Sequence, residues 1–452
     1  MSPTVDTIAA PATPTGTSAL ALVRASGPLA AELVRDIFGE APLPRQAVRG
    51  DYRDRRTGAA IDDVMFTFFK EPNSYTGEDL LEISCHGNPF IVSKIITDLL
   101  GRGCRPAEPG EFTKRAFLNG RMELTQAEAV ADLIHARSEQ ALLAANQQLR
   151  GALGFRMRQL IDDLLFVLAR VEAYIDFPDE DLPPGDHTVL VEGIQRLLAG
   201  TGQLLATSHY GELLRAGVKT VIIGEPNVGK SSLLNRLIGR ERAIVSSEPG
   251  TTRDYLEEPV LIGPYCLRLI DTAGLNPRPA PLEMLGITKT IELIAQADLI
   301  LLVLDATLET SASPPPADTG GSPAKTIAVI NKIDLAPRRP RPALPSALPS
   351  VEVSAIRGDG IDDLKALIVR HVESFRVEHG DELVIINARH NHALTQATVA
   401  LQAAQKKLAE GAPAELLASD LRSALHAFGE ISGKVDNEQM LDRLFATFCI
   451  GK

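Results

Sequence analysis

The segment Gly224-Glu225-Pro226-Asn227-Val228-Gly229-Lys230-Ser231 restricts what this chain can fold into more than any other stretch. A G-x-x-x-x-G-K-S run cradles phosphates only where a strand enters it and a helix leaves it, because its backbone N–H groups must converge on one anion. Both are present. Val218-Lys219-Thr220-Val221-Ile222-Ile223 reads as a buried strand, and Ser232-Leu233-Leu234-Asn235 opens a helix. Residues Asn227, Val228, Gly229, Lys230, Ser231 and Ser232 are thus expected to face a nucleotide. Lys230 would lie against the β- and γ-oxygens and the Ser231 hydroxyl on Mg²⁺.

Later segments supply the remaining parts. Leu267-Arg268-Leu269-Ile270 leads as a strand into Asp271-Thr272-Ala273-Gly274, where Asp271 can hold the outer shell of the metal and the Gly274 amide can sense the γ-phosphate. Between loop and strand, Gly250-Thr251-Thr252-Arg253-Asp254 reads as the switch, with Thr252 as second protein ligand of Mg²⁺, lost when the γ-phosphate leaves. Asn331-Lys332-Ile333-Asp334 selects the base: an ionised carboxylate offers acceptors only, and guanine presents two adjacent donors, so Asp334 fits guanine. Ser354-Ala355, after the strand Val351-Glu352-Val353, adds a backbone contact to the base. The four segments in this order imply GTP and GDP. Lys230, Ser231, Thr252, Asp271 and Asp334 together argue for turnover instead of a dead scaffold.

The chain has 452 residues, 44% hydrophobic and 23% charged, which suggests about three domains of an ordinary globular protein. Its apolar runs, such as Leu299 to Leu304, are too short for a bilayer, so no membrane is expected. Cys85, Cys104, Cys266 and Cys449 show no paired spacing, which suits a reducing cytoplasm. With a net charge of −12, a nucleic-acid partner must be held by a local basic patch. The Arg338-Arg339-Pro340-Arg341 cluster and the stretch from Ser311 to Pro323 read as solvated surface loops.

Outside the nucleotide domain the texture changes. Residues 121–210 and 380 onward read as helices, with Leu160, Leu164, Leu165, Leu168 and Val171 on one face. Leu416, Leu417, Leu421, Leu425 and Phe428 repeat the pattern. The first ~118 residues read as a mixed α/β unit, with strands at Ala19–Val23, Val64–Phe68 and Leu80–Ser84.

The chain resembles the MnmE (TrmE) family of tRNA uridine-modifying GTPases over essentially its whole length. Besides the nucleotide segments, the likeness rests on Pro72-Asn73-Ser74-Tyr75-Thr76-Gly77-Glu78-Asp79, on Arg105-Pro106-Ala107-Glu108-Pro109-Gly110-Glu111-Phe112-Thr113, on Ala173-Tyr174-Ile175-Asp176-Phe177-Pro178-Asp179-Glu180, and on the terminal Phe448-Cys449-Ile450-Gly451-Lys452. The resemblance implies an α/β multidomain chain. An N-terminal α+β folate-binding and dimerisation domain would cover residues 1–118. A discontinuous helical domain would cover 119–215 and 376–452, and an inserted Ras-like P-loop GTPase domain 216–375. It further implies a K⁺-stimulated GTPase that works as a homodimer. With the FAD-dependent protein MnmG (GidA), in a heterotetramer or larger assembly, it would add a carboxymethylaminomethyl or aminomethyl group to C5 of the wobble uridine of certain tRNAs. The carbon would come from 5-formyl- or 5,10-methylene-tetrahydrofolate.

Where Ras-like proteins carry a water-orienting glutamine, this chain has Leu275, and no arginine finger is identifiable. By resemblance, K⁺ supplies the missing cation. Asn227 is its side-chain ligand, and Ser246, Glu248 and Thr251 contribute from the nucleotide-facing run Ser246-Ser247-Glu248-Pro249-Gly250-Thr251-Thr252. Glu283 is the implied water-orienting carboxylate, set beyond a proline-rich stretch, with an ordinary exposed helix residue as the other reading. Arg24, Glu82, Arg121 and Lys452 are the implied folate contacts, the bases for glutamate carboxylates and Glu82 for the pteridine amino edge. Arg24 and Glu82 also read as a plain structural pair. Cys449, between Phe448 and Ile450, is expected to be packed rather than reactive. His390-Asn391-His392 lacks a third metal ligand, and the acidic run from Asp176 to Asp186 reads as a capping turn. A GTPase switch in ribosome assembly, without tRNA-modifying chemistry, stays open as the alternative; it would be expected to append an RNA-binding domain with a basic face, a character that the N-terminal unit and the Cys449-Ile450-Gly451-Lys452 tail do not have.

Overall fold

The computed structural model describes residues 6–39, 44–176, 186–239, 257–271, 291–308, 323–336, 344–345, 348–376, 384–433, 444–446 and 448–451. The chain divides into two compact units, Met1–Ala131 with Gly429–Lys452, and Asp132–Phe428. These units are coarser than the four expected segments: Asp132–Phe428 holds the nucleotide segment together with most of both helical segments, and the last residues of the chain fall in the first unit.

The first unit is built on a six-stranded sheet of order β3-β4-β5-β2-β1-β6. Its strands are β1 (Ile8–Pro11), β2 (Leu20–Ser26), β3 (Ala47–Arg53), β4 (Ala60–Phe69), β5 (Leu80–His86) and β6 (Arg105–Pro106). All pairings are antiparallel except β1 with β6. The strands read from the sequence fall within β4 and β5 and overlap β2. One sheet face buries Val23, Phe66, Leu81 and Ile83 against Ile95 and Leu99 of helix α2 (Pro89–Gly101). Asn88 starts that helix by accepting from the Phe90 amide at 2.9 Å, and Pro89 occupies the first turn, where no N–H is required. Cys104 lies in the same core, and burial pushes its thiol up to about 11. Helices α1 (Ala30–Phe38), α3 (Glu111–Leu118) and α4 (Leu124–His135) complete the N-terminal part. The chain end returns here: Phe445 and Phe448 pack with Leu124 and Ala127, and Ile450 bridges Pro109.

The second unit joins helices to a second six-stranded sheet of order β12-β11-β10-β7-β9-β8. Its strands are β7 (Val218–Ile223), β8 (Glu257–Ile262), β9 (Tyr265–Asp271), β10 (Leu299–Asp305), β11 (Thr326–Asn331) and β12 (Ser350–Glu352). Every pairing is parallel except the β8–β9 hairpin. Parallel strands are buried on both faces, hence the unbroken apolar runs in β7, β10 and β11. Helices α9 (Lys230–Ile238) and α10 (Ile361–Glu373) flank this sheet. The helical part comprises α5 (Glu139–Leu149), α6 (Ala152–Asp176), α7 (Asp186–Ala206), α8 (Ser208–Ala216), α11 (Ala388–Ala409) and α12 (Ala414–Ser432).

Two expected core positions are corrected. On α6, Leu160, Leu164, Leu168 and Val171 are buried, but Leu165 is 44% exposed, and on α12 Leu417 is buried while Leu416 is exposed. Successive helical residues point 100° apart, so one of two adjacent leucines at the edge of the buried stripe can turn outward. Among the described residues no helix is long and apolar enough to cross a membrane.

Candidate functional site

The carboxyl ends of β7, β10, β11 and β9 gather the nucleotide segments, in the crevice where open parallel sheets hold ligands. Gly224 leaves β7 with φ +150°, and a Cβ there would lie 2.3 Å from the Val303 carbonyl oxygen of β10. Gly229 starts α9 with φ +99°, and its Cβ would lie 2.3 Å from the Asn331 amide nitrogen. Both glycines are therefore set by close approach as well as by backbone conformation. Between them Asn227 is exposed, with φ +65°. Lys230 folds back over the loop and donates to the Gly224 and Glu225 carbonyls at 2.9 and 2.8 Å, while Ser231 and Ser232 stand exposed in the first turn of α9. The first turn of a helix turns its N–H groups and the positive end of the helix dipole toward that side, which suits an anion.

The base-reading segments are knitted to this loop. Asn331, only 2% exposed, donates to the Val228 carbonyl at 2.9 Å and accepts from the Ala355 amide at 3.0 Å, so one side chain joins the phosphate loop to the Ser354-Ala355 segment. Ser354 is buried in a tight turn, with its hydroxyl accepting from the Arg357 amide at 3.2 Å. Lys332, φ +65°, donates to the Asn227 carbonyl and to Asp305 Oδ2, each at 2.7 Å. Burial alone would raise the Asp305 carboxyl, but the Lys332 and Thr307 hydrogen bonds hold it below the usual carboxylate range. The Asp334 carboxylate is half-buried and takes no hydrogen-bond partner among the described residues. Asp271 ends β9 directly beside Ile222 of β7, one strand from the loop.

The implied K⁺, Mg²⁺ and water-orienting positions lie mostly elsewhere in the chain. Ser246, Ser247, Glu248, Pro249, Gly250, Thr251, Thr252, Thr272, Ala273, Gly274, Glu283 and Lys452 are outside the described residues, as are the Arg338–Arg341 cluster and most of the 176–186 and 311–323 stretches. What is described fits hard cations: a hydroxyl on Ser231 and an amide oxygen on Asn227, both exposed beside the loop.

In the first unit, Arg24 of β2 and Glu82 of β5 are direct cross-strand partners, bonded Nε to Oε1 at 2.8 Å. Arg24 also reaches the Gly451 carbonyl at 3.4 Å and lies 5.7 Å from the Tyr75 ring centre. The terminal tail, Arg24, Glu82 and the Tyr75 loop thus converge. Arg121 runs along Gly77 of the same loop, where a Cβ would meet its Cγ at 3.1 Å. Glu82 Oε2 has no partner among the described residues, which leaves one carboxylate oxygen as an open acceptor. Cys449 is exposed, against the expectation of a packed side chain: its neighbour Phe448 takes the buried position and its own carbonyl accepts from the Gly110 amide at 3.3 Å. His390 is buried as a helix cap, its amide donating to Asn387 Oδ1 at 2.8 Å and its ring accepting from the Asn387 amide at 3.3 Å.

Comparison with known proteins bears on both regions. Residues 7–121 match the model of the GTP-binding protein TrmE N-terminus, and residues 124–449 match that of the MnmE helical domain. The chain is 56% identical over 453 residues to the tRNA modification GTPase MnmE of Opitutus terrae, with 100% of each chain covered. The chain belongs to the MnmE family. It is also 44% identical to the tRNA modification GTPase MnmE of Akkermansia muciniphila, over 99% of each. Of solved structures, the G domain of the T. maritima FeoB iron transporter aligns with 34% of this chain and 98% of its own, at 26% identity and a TM-score of 0.24.

Two features of this MnmE-family chain escape a motif reading. One is the Asp305–Thr307 pair behind Lys332; its signal is a lone carboxylate closing the apolar run of β10, at the end of the strand where ligands bind. The other lies behind the Asp79 and Glu111 signature stretches. Arg115, 2% exposed, bonds Asp6 at 2.8 Å, Glu111 at 3.0 Å and Glu78 at 3.1 Å, and Arg105 bonds Asp6 and Glu111 at 2.5 Å each. Three carboxylates and two guanidiniums thereby fix the Tyr75 loop to α3, beneath the Arg24 cluster.

Proposed function

We propose that this MnmE-family chain is a K⁺-stimulated GTPase that cleaves GTP to GDP and phosphate. As a homodimer in the cytoplasm, assembled with the flavoprotein MnmG, it would add a carboxymethylaminomethyl or aminomethyl group to C5 of uridine 34 of certain tRNAs. The observation that carries the GTPase reading is the Asn331 side chain, which bonds the phosphate loop on one side and the base-contacting segment on the other. Base recognition and phosphate geometry then share one buried group. The tRNA-directed half rests on family membership over the full length of the chain.

In hydrolysis, the loop amides and Lys230 orient the γ-phosphoryl for in-line attack by water. Mg²⁺ and K⁺, when bound, offset the negative charge that builds on the phosphate oxygens. Ser231 and Thr252 would hold the first, and Asn227, Ser246, Glu248 and Thr251 the second. Asp271 would order the metal's water shell, Gly274 would report the γ-phosphate, and Glu283 would align the attacking water. In the first unit, Arg24, Glu82, Arg121 and Lys452 would hold a tetrahydrofolate whose one-carbon unit supplies the added carbon.

The deciding experiment is mass spectrometry of wobble nucleosides in tRNA from cells lacking this chain, complemented with wild type or Asp271→Asn. Loss of the C5-modified uridine, restored by wild type alone, is expected. Unchanged nucleosides would move the ribosome-assembly switch to first place.

A further inference from the structure

Two residues at the phosphate loop, Asn227 within it and Lys332 bonded to it, hold φ of +65° without being glycine. Such positions persist only where surrounding contacts over-determine them. Here a single side chain joins the two, because Lys332 Nζ donates to the Asn227 carbonyl at 2.7 Å. Its other acceptor is Asp305 Oδ2, also at 2.7 Å. Asp305 is itself held: the Thr307 hydroxyl and amide both donate to Oδ1, at 2.7 and 2.8 Å, so each carboxylate oxygen has a separate task. The chain of bonds runs from the end of β10, through the base-reading segment, to the exposed turn of the phosphate loop.

We propose that Asp305 is a positioning residue of the GTPase site, holding Lys332 across the crevice so that the turn at Asn227 presents its amide oxygen to K⁺. This rests on the K⁺ reading given above. A flexible four-carbon stem alone does not fix a lysine; a buried counter-charge with its own two donors does. Once the Asn227 carbonyl is pinned, the direction of its Cβ follows from the turn, and only χ1 and χ2 are left to set where the amide lies. Asp305 touches no reacting atom, and its influence passes through Lys332 and Asn227.

Asp305→Asn keeps the size and one acceptor oxygen but removes the charge, and Thr307→Val removes the hydroxyl that orients Asp305. At saturating GTP the K⁺ concentration for half-maximal hydrolysis is expected to rise about tenfold in Asp305→Asn, the scale of one charge-assisted hydrogen bond. A smaller rise in the same direction is expected for Thr307→Val, which carries the test if Asp305→Asn does not fold. Independently of activity, hydrogen exchange at amides 225–229 should quicken in both variants while the melting temperature holds. If GTP affinity or melting temperature falls but K⁺ dependence and loop exchange stay at wild-type values, Asp305 is only a structural brace and the proposal is overturned. If wild type responds equally to Na⁺ and K⁺, the K⁺ reading itself fails. The Asp305 assignment as a brace of the Asn227 turn is then judged on loop exchange alone, and unchanged exchange overturns it.

Discussion

Residues 224–231 and the cluster of Arg24, Glu82 and the terminal tail are both expected to hold small ligands, yet they are assembled in opposite ways. The first is backbone: eight consecutive residues, two glycines at which a Cβ would lie 2.3 Å from a neighbouring atom, and amides aimed by the turn itself. The second is side chain: positions 24, 75, 82 and 451 meet only because β2 and β5 pair in one register and the chain end returns to the first unit. A backbone site survives as a contiguous word in the sequence. A register-built site leaves only isolated letters.

If that contrast holds, removing one long-range side chain should hurt the first unit most. Arg115→Ala leaves Glu111 and Glu78 without their shared partner in a buried setting, and a cost of about 3–5 kcal/mol is expected. A chemical denaturation curve with unfolding of the N-terminal unit at lower denaturant would report it, and guanine nucleotide affinity should stay unchanged. The same network predicts acid sensitivity. Burial alone would raise the Glu111 and Asp6 carboxyls, but bonds to Arg105 and Arg115 lower both. A carboxyl depressed in the folded state contributes its stability above its unfolded pKa, about 4, and loses it as pH falls through the folded value. Wild type should therefore hold its melting temperature between pH 7 and 5 and lose it below about pH 4, and Arg115→Ala should flatten that fall. An equally steep fall in the variant would remove the network from the explanation.

The backbone site should break at single atoms. Gly224→Ala adds one methyl group, but against the Val303 carbonyl and at φ +150°, so a cost of roughly 2–3 kcal/mol is expected, seen as weakened GDP binding by fluorescence titration. Wild-type affinity in that variant would mean the loop is not held as described. Asn331→Ala should be slightly milder. It leaves the Val228 carbonyl and the Ala355 amide without their partner, about 1–3 kcal/mol, or roughly five- to 150-fold in nucleotide affinity.

The same contrast accounts for how much could be read in advance. The strands β7 and β9 and the phosphate loop between β7 and α9 were legible because buried strands and anion loops each have a local composition rule. Leu165 and Leu416 were misread because a count of apolar residues at helical spacing does not say which of two neighbours faces in. Cys449 was misread for a related reason: apolar neighbours do not bury a residue whose backbone is engaged in an edge contact. Arg115 and the return of Phe445 and Phe448 to the first unit carry little local signal, and Asp305 shows only as the lone carboxylate closing the apolar run of β10. Their partners lie up to hundreds of residues away, and only the fold brings them together. Arg24 and Glu82 were named through family likeness, and the sheet register supplies the reason they meet.

The smallest change in stability should give the sharpest test of the register-built site. Arg24→Gln removes one half-shielded ion pair, worth about 1 kcal/mol or less, so folding should barely change. Its effect on ligand binding should be larger, because the glutamine cannot offer the planar charged fork to a carboxylate while still bracing Glu82. Calorimetric titration with 5-formyl-tetrahydrofolate is expected to show at least about a tenfold loss of affinity, the scale of one charge-assisted bond. GTP binding should remain at the wild-type level. Glu82→Gln, which keeps the shape and one acceptor oxygen, should weaken the same titration. Were both variants to bind the folate as wild type does, the Arg24–Glu82 pair would be a brace of the sheet alone, and the one-carbon donor would have to be sought at another place in the chain.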